Sequence, residues 1–117
     1  MAAVLVGGDG ALVSHRSAAA LHGLEPIPQG MVEITLPSSR RIQGAIVHRR
    51  PRVEAKHQLL IDGIPATRVE RTVVDLASVL SVPQMGMVLD HALHRRRITL
   101  EDLSRTVESH SARGRAE

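Results

Sequence analysis

An α+β fold, with a small, mostly antiparallel β-sheet flanked by about four α-helices, is what this 117-residue sequence predicts. Three observations predict it. Val32-Glu33-Ile34-Thr35-Leu36 alternates apolar and polar residues, and residues 42–48, with β-branched Ile42, Ile46 and Val47, supply a partner strand. Asp62-Gly63 stands between Leu59-Leu60-Ile61 and Ile64, the dipeptide best suited to the positive φ of a two-residue hairpin turn. Val69, Val73, Leu76 and Leu80 then recur at helical spacing and give one apolar stripe.

Taken in order, Met1 to Val6 reads as a helical turn stopped by Gly7-Gly8-Asp9-Gly10. That glycine run is a turn rather than a phosphate loop, because no Gly-Lys-Ser/Thr follows it. Ser14 is a good N-cap for a helix through Ala18, Ala19, Ala20 and Leu21, and Gly23 suits the position that ends it. Prolines make residues 25–30 a loop. In the hairpin, Pro65 cannot donate to a ladder, so its strand is expected at an edge. Thr67 and Glu70 are spaced as a capping box for the helix that carries the Val69 stripe, which should end near Leu80. Ser81 and Gln84 form a second such box, with Pro83 tolerated in the first turn, and Met85, Leu89 and Ala92 extend a stripe to about Arg96. Thr99 and Asp102 open a last helix with Leu100, Leu103 and Val107 on one face. The domain should occupy residues 1–108, leaving 109–117 as a polar, flexible tail.

Composition removes whole classes of function. The hydrophobic fraction of 43% supports a packed core, yet Phe, Trp and Tyr are absent, so Leu, Val, Ile, Met and Ala must build it. The same absence removes the stacking platforms that single-strand and RNA binders use. Without cysteine there is no disulfide framework, thiolate metal site or cysteine nucleophile. No leader-like segment and no run of about 20 apolar residues is present, which makes the expected location cytoplasmic. Net charge is only +3, but its distribution is uneven: Arg40, Arg41, Arg49, Arg50, Arg52 and Lys56 face a single acid, Glu54, and Arg95-Arg96-Arg97 forms a second cluster. Arginines on or just beyond a strand pair can contact phosphates along a duplex, so Arg40, Arg41, Arg49, Arg50 and Arg52 are the candidate DNA-binding residues.

Catalytic and metal constellations are not apparent. Asp90 and His94 share a helix face at i,i+4 but lack further ligands, so neither a metal nor a cofactor is expected. Ser14 and His15 are adjacent and, on a helix, would point apart rather than pair as nucleophile and base. His15 and Arg16 fall in a first turn, where cations oppose the helix dipole, which suggests a tertiary partner or an anion there. Arg71 and Asp75 are either an intrahelical i,i+4 pair or a lock onto the helix that opens near His15. No acidic cluster suits two-metal nuclease chemistry, so no enzymatic activity is expected.

Two motifs, S-H-R-S-A-A from Ser14 and D-G-I-P-x-T-x-x-E-R-T-x-x-D-L from Asp62, occur in this order around a basic strand pair. Together they resemble the core module of actinobacterial AbiEi-type antitoxins of type IV toxin–antitoxin systems, over about residues 1–105. The resemblance makes Ser14, His15, Ser17, Asp62, Gly63, Pro65, Thr67, Glu70, Arg71 and Asp75 motif positions of structural importance. It implies a non-enzymatic regulator that acts on its own transcription, through duplex DNA, and antagonises a nucleotidyltransferase-like toxin. In related chains a winged helix precedes this module and a Vsr-like endonuclease domain often follows; neither is expected within these residues. The alternatives are a positioning or dimerisation module for such a nuclease domain, or a truncated remnant. The oligomeric state, the operator and the toxin's identity are not encoded in any motif recognised above.

Overall fold

The computed structural model describes residues 8–27 and 30–116, with side chains through His110; the turn expected over Met1 to Val6 lies outside them. Its elements run β1 (Leu12–Val13), α1 (His15–Leu21), β2 (Val32–Leu36), β3 (Ala45–Arg49), a 3-10 turn (Ala55–His57), β4 (Gln58–Ile61), β5 (Ile64–Thr67), α2 (Val69–Leu76), α3 (Val82–His94) and α4 (Leu100–Ala116). The fold is α+β, as expected, but the sheet is mixed rather than mostly antiparallel. Strand order is β3-β2-β1-β5-β4, with β1–β2 and β4–β5 antiparallel and β2–β3 and β1–β5 parallel.

The parallel β2–β3 pair has a physical cause. No turn dipeptide follows Leu36; instead residues 37–44 carry the chain back along the sheet. Five strand residues span about 17 Å at about 3.3 Å each, well within reach of an eight-residue extended segment. The return lets Ile42, 8% exposed, bury its side chain against the core, and Gly44 at φ +81° turns the chain into β3.

Asp62 (φ +50°) and Gly63 (φ +80°) make the expected tight hairpin, with Ile61 opposite Ile64. β5 is nevertheless an interior strand, between β1 and β4, and not an edge. Pro65 is tolerated there because the flanking pairs Ile61–Ile64 and Leu59–Ala66 carry the β4 ladder, which turns Pro65 nitrogen away from β4. On its other side β5 meets β1 through one pair only, Val13 with Ala66.

Helix ends follow local chemistry, with two corrections, the first at Ser14, which occupies the N-cap of α1 but makes no side-chain capping bond. Gly23 N–H bonds Ala20 O and Leu24 N–H bonds Ala19 O, so α1 ends in a Schellman motif with Gly23 at φ +73°. Ser81 and Gln84 form the full capping box on α3, and Thr99 Oγ1 accepts from Asp102 N–H at the start of α4. The Thr67–Glu70 box does not form. Arg68 takes the N-cap position of α2, while Thr67 ends β5 and its hydroxyl meets that of Thr72 at 2.7 Å. Thr72 Oγ1 also donates to Arg68 O at 2.8 Å, a side-chain closure of the strand-to-helix corner. α2 stops at Leu76 and continues to Leu80 only as turns.

Two apolar clusters meet at α1. Ala18 packs with Val13, Ile34, Leu36, Ile42 and Ala66 of the sheet, and Ala19 with Leu24, Val73, Leu76, Val88, Ala92 and Ile98 of the helices. α1 is therefore held on two sides, and alanine is what lets it sit so close to both. Among the described residues no helix is long and apolar enough to cross a membrane.

Candidate functional site

The chain leaves β1 through Ser14, whose N–H bonds Glu33 O on β2, and enters α1 at His15. His15 has φ +53°, a left-handed conformation that side chains with a Cβ seldom adopt. The imidazole is buried, 6% exposed, and stacks on His48 of β3 with centroids 3.6 Å apart and planes 15° apart. Its Nδ1 lies 2.8 Å from Ser14 Oγ, which also accepts from Thr35 Oγ1 at 2.8 Å. Serine and histidine thus do meet, contrary to the helical-spacing argument. Ser14 is extended and His15 left-handed, so helix geometry does not govern their directions.

Glu33, fully buried, is the centre of charge. Its Oε1 accepts from Arg16 Nη1 at 2.8 Å and Arg16 N–H at 3.2 Å, and its Oε2 lies 2.7 Å from His48 Nε2. Ser17 Oγ accepts from Glu33 N–H, fixing the strand to α1. Burial by itself would raise the Glu33 pKa, but hydrogen bonds from His48 and Arg16 outweigh it and hold the carboxyl below 4.5. Burial pushes His15 down from 6.5 to about 4, with the charge of Asp75 opposing that shift, so the ring is neutral at neutral pH.

Arg16 and His22 tie α1 to the two ends of the α2 segment. Arg16 Nη2 donates to Val79 O at 2.8 Å beyond α2, and His22 Nε2–H donates to Thr67 O at 2.8 Å ahead of it. Arg71 and Asp75, with side chains only 4% and 9% exposed, pair with each other along α2 at 3.0 Å. Asp75 also faces a cavity of about 250 Å³ lined by His15, His48, Arg49, Arg50, Ser78, Val74 and His110. Replacing Asp75 by Asn leaves the buried guanidinium without a counter-charge. It should cost about 1–3 kcal/mol and lower Tm by several degrees in a calorimetric melt; an unchanged Tm would make the pair energetically irrelevant.

The parallel pairing also relocates the arginines. Arg49 lies opposite Leu36 and Arg50 N–H bonds Leu36 O, so Arg49, Arg50 and Arg52 gather at the end of β2 from which the loop carrying Arg40 and Arg41 departs. β3 is the sheet edge at this end. Arg50 Nη2 lies 3.0 Å from His110 Nδ1. Among the described residues Arg41, Arg49 and Arg52 form no ion pair, whereas Arg16, Arg71 and Arg105 do. Arg40 and Arg41 line a separate open groove of about 470 Å³ with Ile42, Gln43 and Val47.

The profile of the AbiEi antitoxin C-terminal domain matches residues 10–117. The chain belongs to the AbiEi antitoxin family. No curated protein matches it. The match spans every described element, so the sheet, the four helices and the buried cluster all belong to the antitoxin domain. Such domains are regulatory and belong to type IV toxin–antitoxin systems.

Within the antitoxin domain, the motif residues Ser14, His15, Arg71 and Asp75 surround or face the buried cluster, and Ser17 anchors its carboxylate strand. Asp62, Gly63 and Pro65 shape the hairpin instead. Sequence reading missed Glu33 and His48. Both occupy polar-looking places in strands, where alternation alone assigns them to solvent; only the pairing of Thr35 with His48 and of Glu33 with Ile46 brings the two strands side by side.

Proposed function

We propose that this antitoxin domain is a non-catalytic regulatory module of the cytoplasm that holds duplex DNA by its phosphates through Arg40, Arg41, Arg49, Arg50 and Arg52. In this reading it contributes to control of its own transcription and to antagonism of a nucleotidyltransferase-like toxin. The observation that supports it most is that Arg49, Arg50 and Arg52 stand at one end of the β2–β3 edge and Arg40 and Arg41 on the loop that returns along it, with Arg41, Arg49 and Arg52 forming no ion pair among the described residues. Guanidinium groups left uncompensated on a rigid edge suit phosphate oxygens, and they carry no base-reading geometry. Binding should therefore be sequence-tolerant and steeply dependent on salt.

The test is duplex affinity across a salt series for Arg41→Ala, Arg49→Ala and Arg52→Ala. Each arginine that neutralises a phosphate should weaken binding on every sequence alike and reduce the slope of log K against log salt by about 1. Affinities and slopes equal to the wild type would remove DNA from the role of these residues.

A further inference from the structure

We infer that His15, Glu33 and His48 form a binding site for a divalent late transition ion, for which Zn²⁺ is the closest chemical match. One nitrogen from each ring and one carboxylate oxygen lie within 4.8 Å of one another. Two imidazoles and a carboxylate, with a water in the fourth place, are a common zinc donor set, and they favour such an ion over Mg²⁺ or Ca²⁺.

Two of the three ligands are held in advance. Ser14 Oγ engages His15 Nδ1, and Arg16 occupies Glu33 Oε1 while leaving Oε2 to face the second histidine. Outer contacts of this kind orient metal ligands and are what a ligand set needs in order to be selective. The positive φ of His15 is a second sign. A buried, non-glycine residue kept in a left-handed conformation places its ring against His48 at a local backbone cost, a pattern that concentrates at binding sites.

The third ligand must move. Imidazole lone pairs lie in the ring plane, so an ion cannot reach both rings while they stack at 3.6 Å. Donors around tetrahedral zinc sit about 3.4 Å apart at bond lengths near 2.1 Å, so the 2.7 Å contact between His48 and Glu33 must also open. His48 is the group able to do this: its side chain is 25% exposed, it stands on the sheet edge, and it borders the cavity that would supply the water. Charge does not forbid the ion. At the ligands themselves Glu33 and Asp75 stand against Arg16 and Arg71, while Arg49 and Arg50 line the adjoining cavity and make its outer part cationic.

The experiment titrates the full chain with Co²⁺, followed by visible absorption, and with Zn²⁺, followed by calorimetry. A single equivalent of Co²⁺ should give the intense d–d bands of a four-coordinate site, and Zn²⁺ should displace it. His48→Ala should weaken binding at least tenfold while keeping a wild-type circular dichroism spectrum, and Glu33→Gln should weaken it as well. His94→Ala, at an exposed histidine on α3, should leave it unchanged. The inference is overturned by absence of binding at micromolar metal, by undiminished binding in both cluster variants, or by loss of binding in the His94 variant. If His48→Ala fails to fold, the Glu33→Gln titration decides between the same outcomes.

Discussion

Replacing Glu33 by alanine should destabilise the domain by about 3 kcal/mol and lower Tm by about 10 °C. The carboxylate is wholly out of water and serves three donors, Arg16 Nη1, Arg16 N–H and the His48 ring. Removing it strands those donors and leaves a void where the side chain stood. Losses from breaking a buried pair run at about 3–5 kcal/mol. The lower end applies because the Arg16 and His48 side chains are 29% and 25% exposed, so water recovers part of their hydration. Glu33→Gln should lose less, since its oxygen still accepts from Arg16. The effect has a pH signature. Glu33 has a folded pKa below its ordinary 4.5, so its contribution is complete above that value and fades as pH falls through the lower folded value. The Tm gap between wild type and variant should therefore hold from about pH 8 to about pH 5 and close in stronger acid. His15 acts in a neighbouring window. Its folded pKa near 4 lies below 6.5, so the unfolded chain binds the proton first and both proteins lose stability as pH falls between those values. A variant melting within about 2 °C of the wild type at neutral pH would show that the cluster contributes little.

Glu33 also marks where sequence reasoning stops. Features set by neighbours in the chain were legible: the Asp62-Gly63 turn, the Gly23 helix stop, the Ser81–Gln84 box and the Val69, Val73, Leu76 stripe all depend on contacts within a few residues. The family, too, was legible in the two motifs. What failed depended on distant pairing. β3 runs parallel to β2 because residues 37–44 carry the chain back along the sheet, burying Ile42 on the way, and no local signal distinguishes that return from a hairpin. Pro65 sits inside the sheet because its neighbour β1 has only two residues and makes little demand on β5. The cluster joins residues 15, 33 and 48, and only the assembled sheet shows that their polar groups point inward. Even Thr67–Glu70, a local motif, was outcompeted when Thr72 closed the corner by another route.

The absence of aromatic residues makes the other large prediction. Leu76→Ala should cost about 3–4 kcal/mol, with Tm falling by about 10–15 °C and the denaturant m-value unchanged. Leu76 is completely buried and packs in the cluster of Ala19, Leu24, Val73, Val88, Ala92 and Ile98. Leucine-to-alanine losses range over about 2–5 kcal/mol, depending on how far the surroundings collapse into the void. Here collapse is poor. The alanines have nothing to extend, the valines hold one rotamer each on their helices, and no ring is available to swing across the gap. Ala19 cannot move inward either, because its neighbour Ala18 anchors the same helix to the sheet on the other side. Leu60→Ala on the β4 edge, at a side chain 70% exposed, supplies the contrast and should stay within about 0.5 kcal/mol. Urea titration of the two variants measures the difference. A Leu76 loss below about 1.5 kcal/mol would mean that the helical cluster rearranges freely, and that α1 is not clamped between two packed faces.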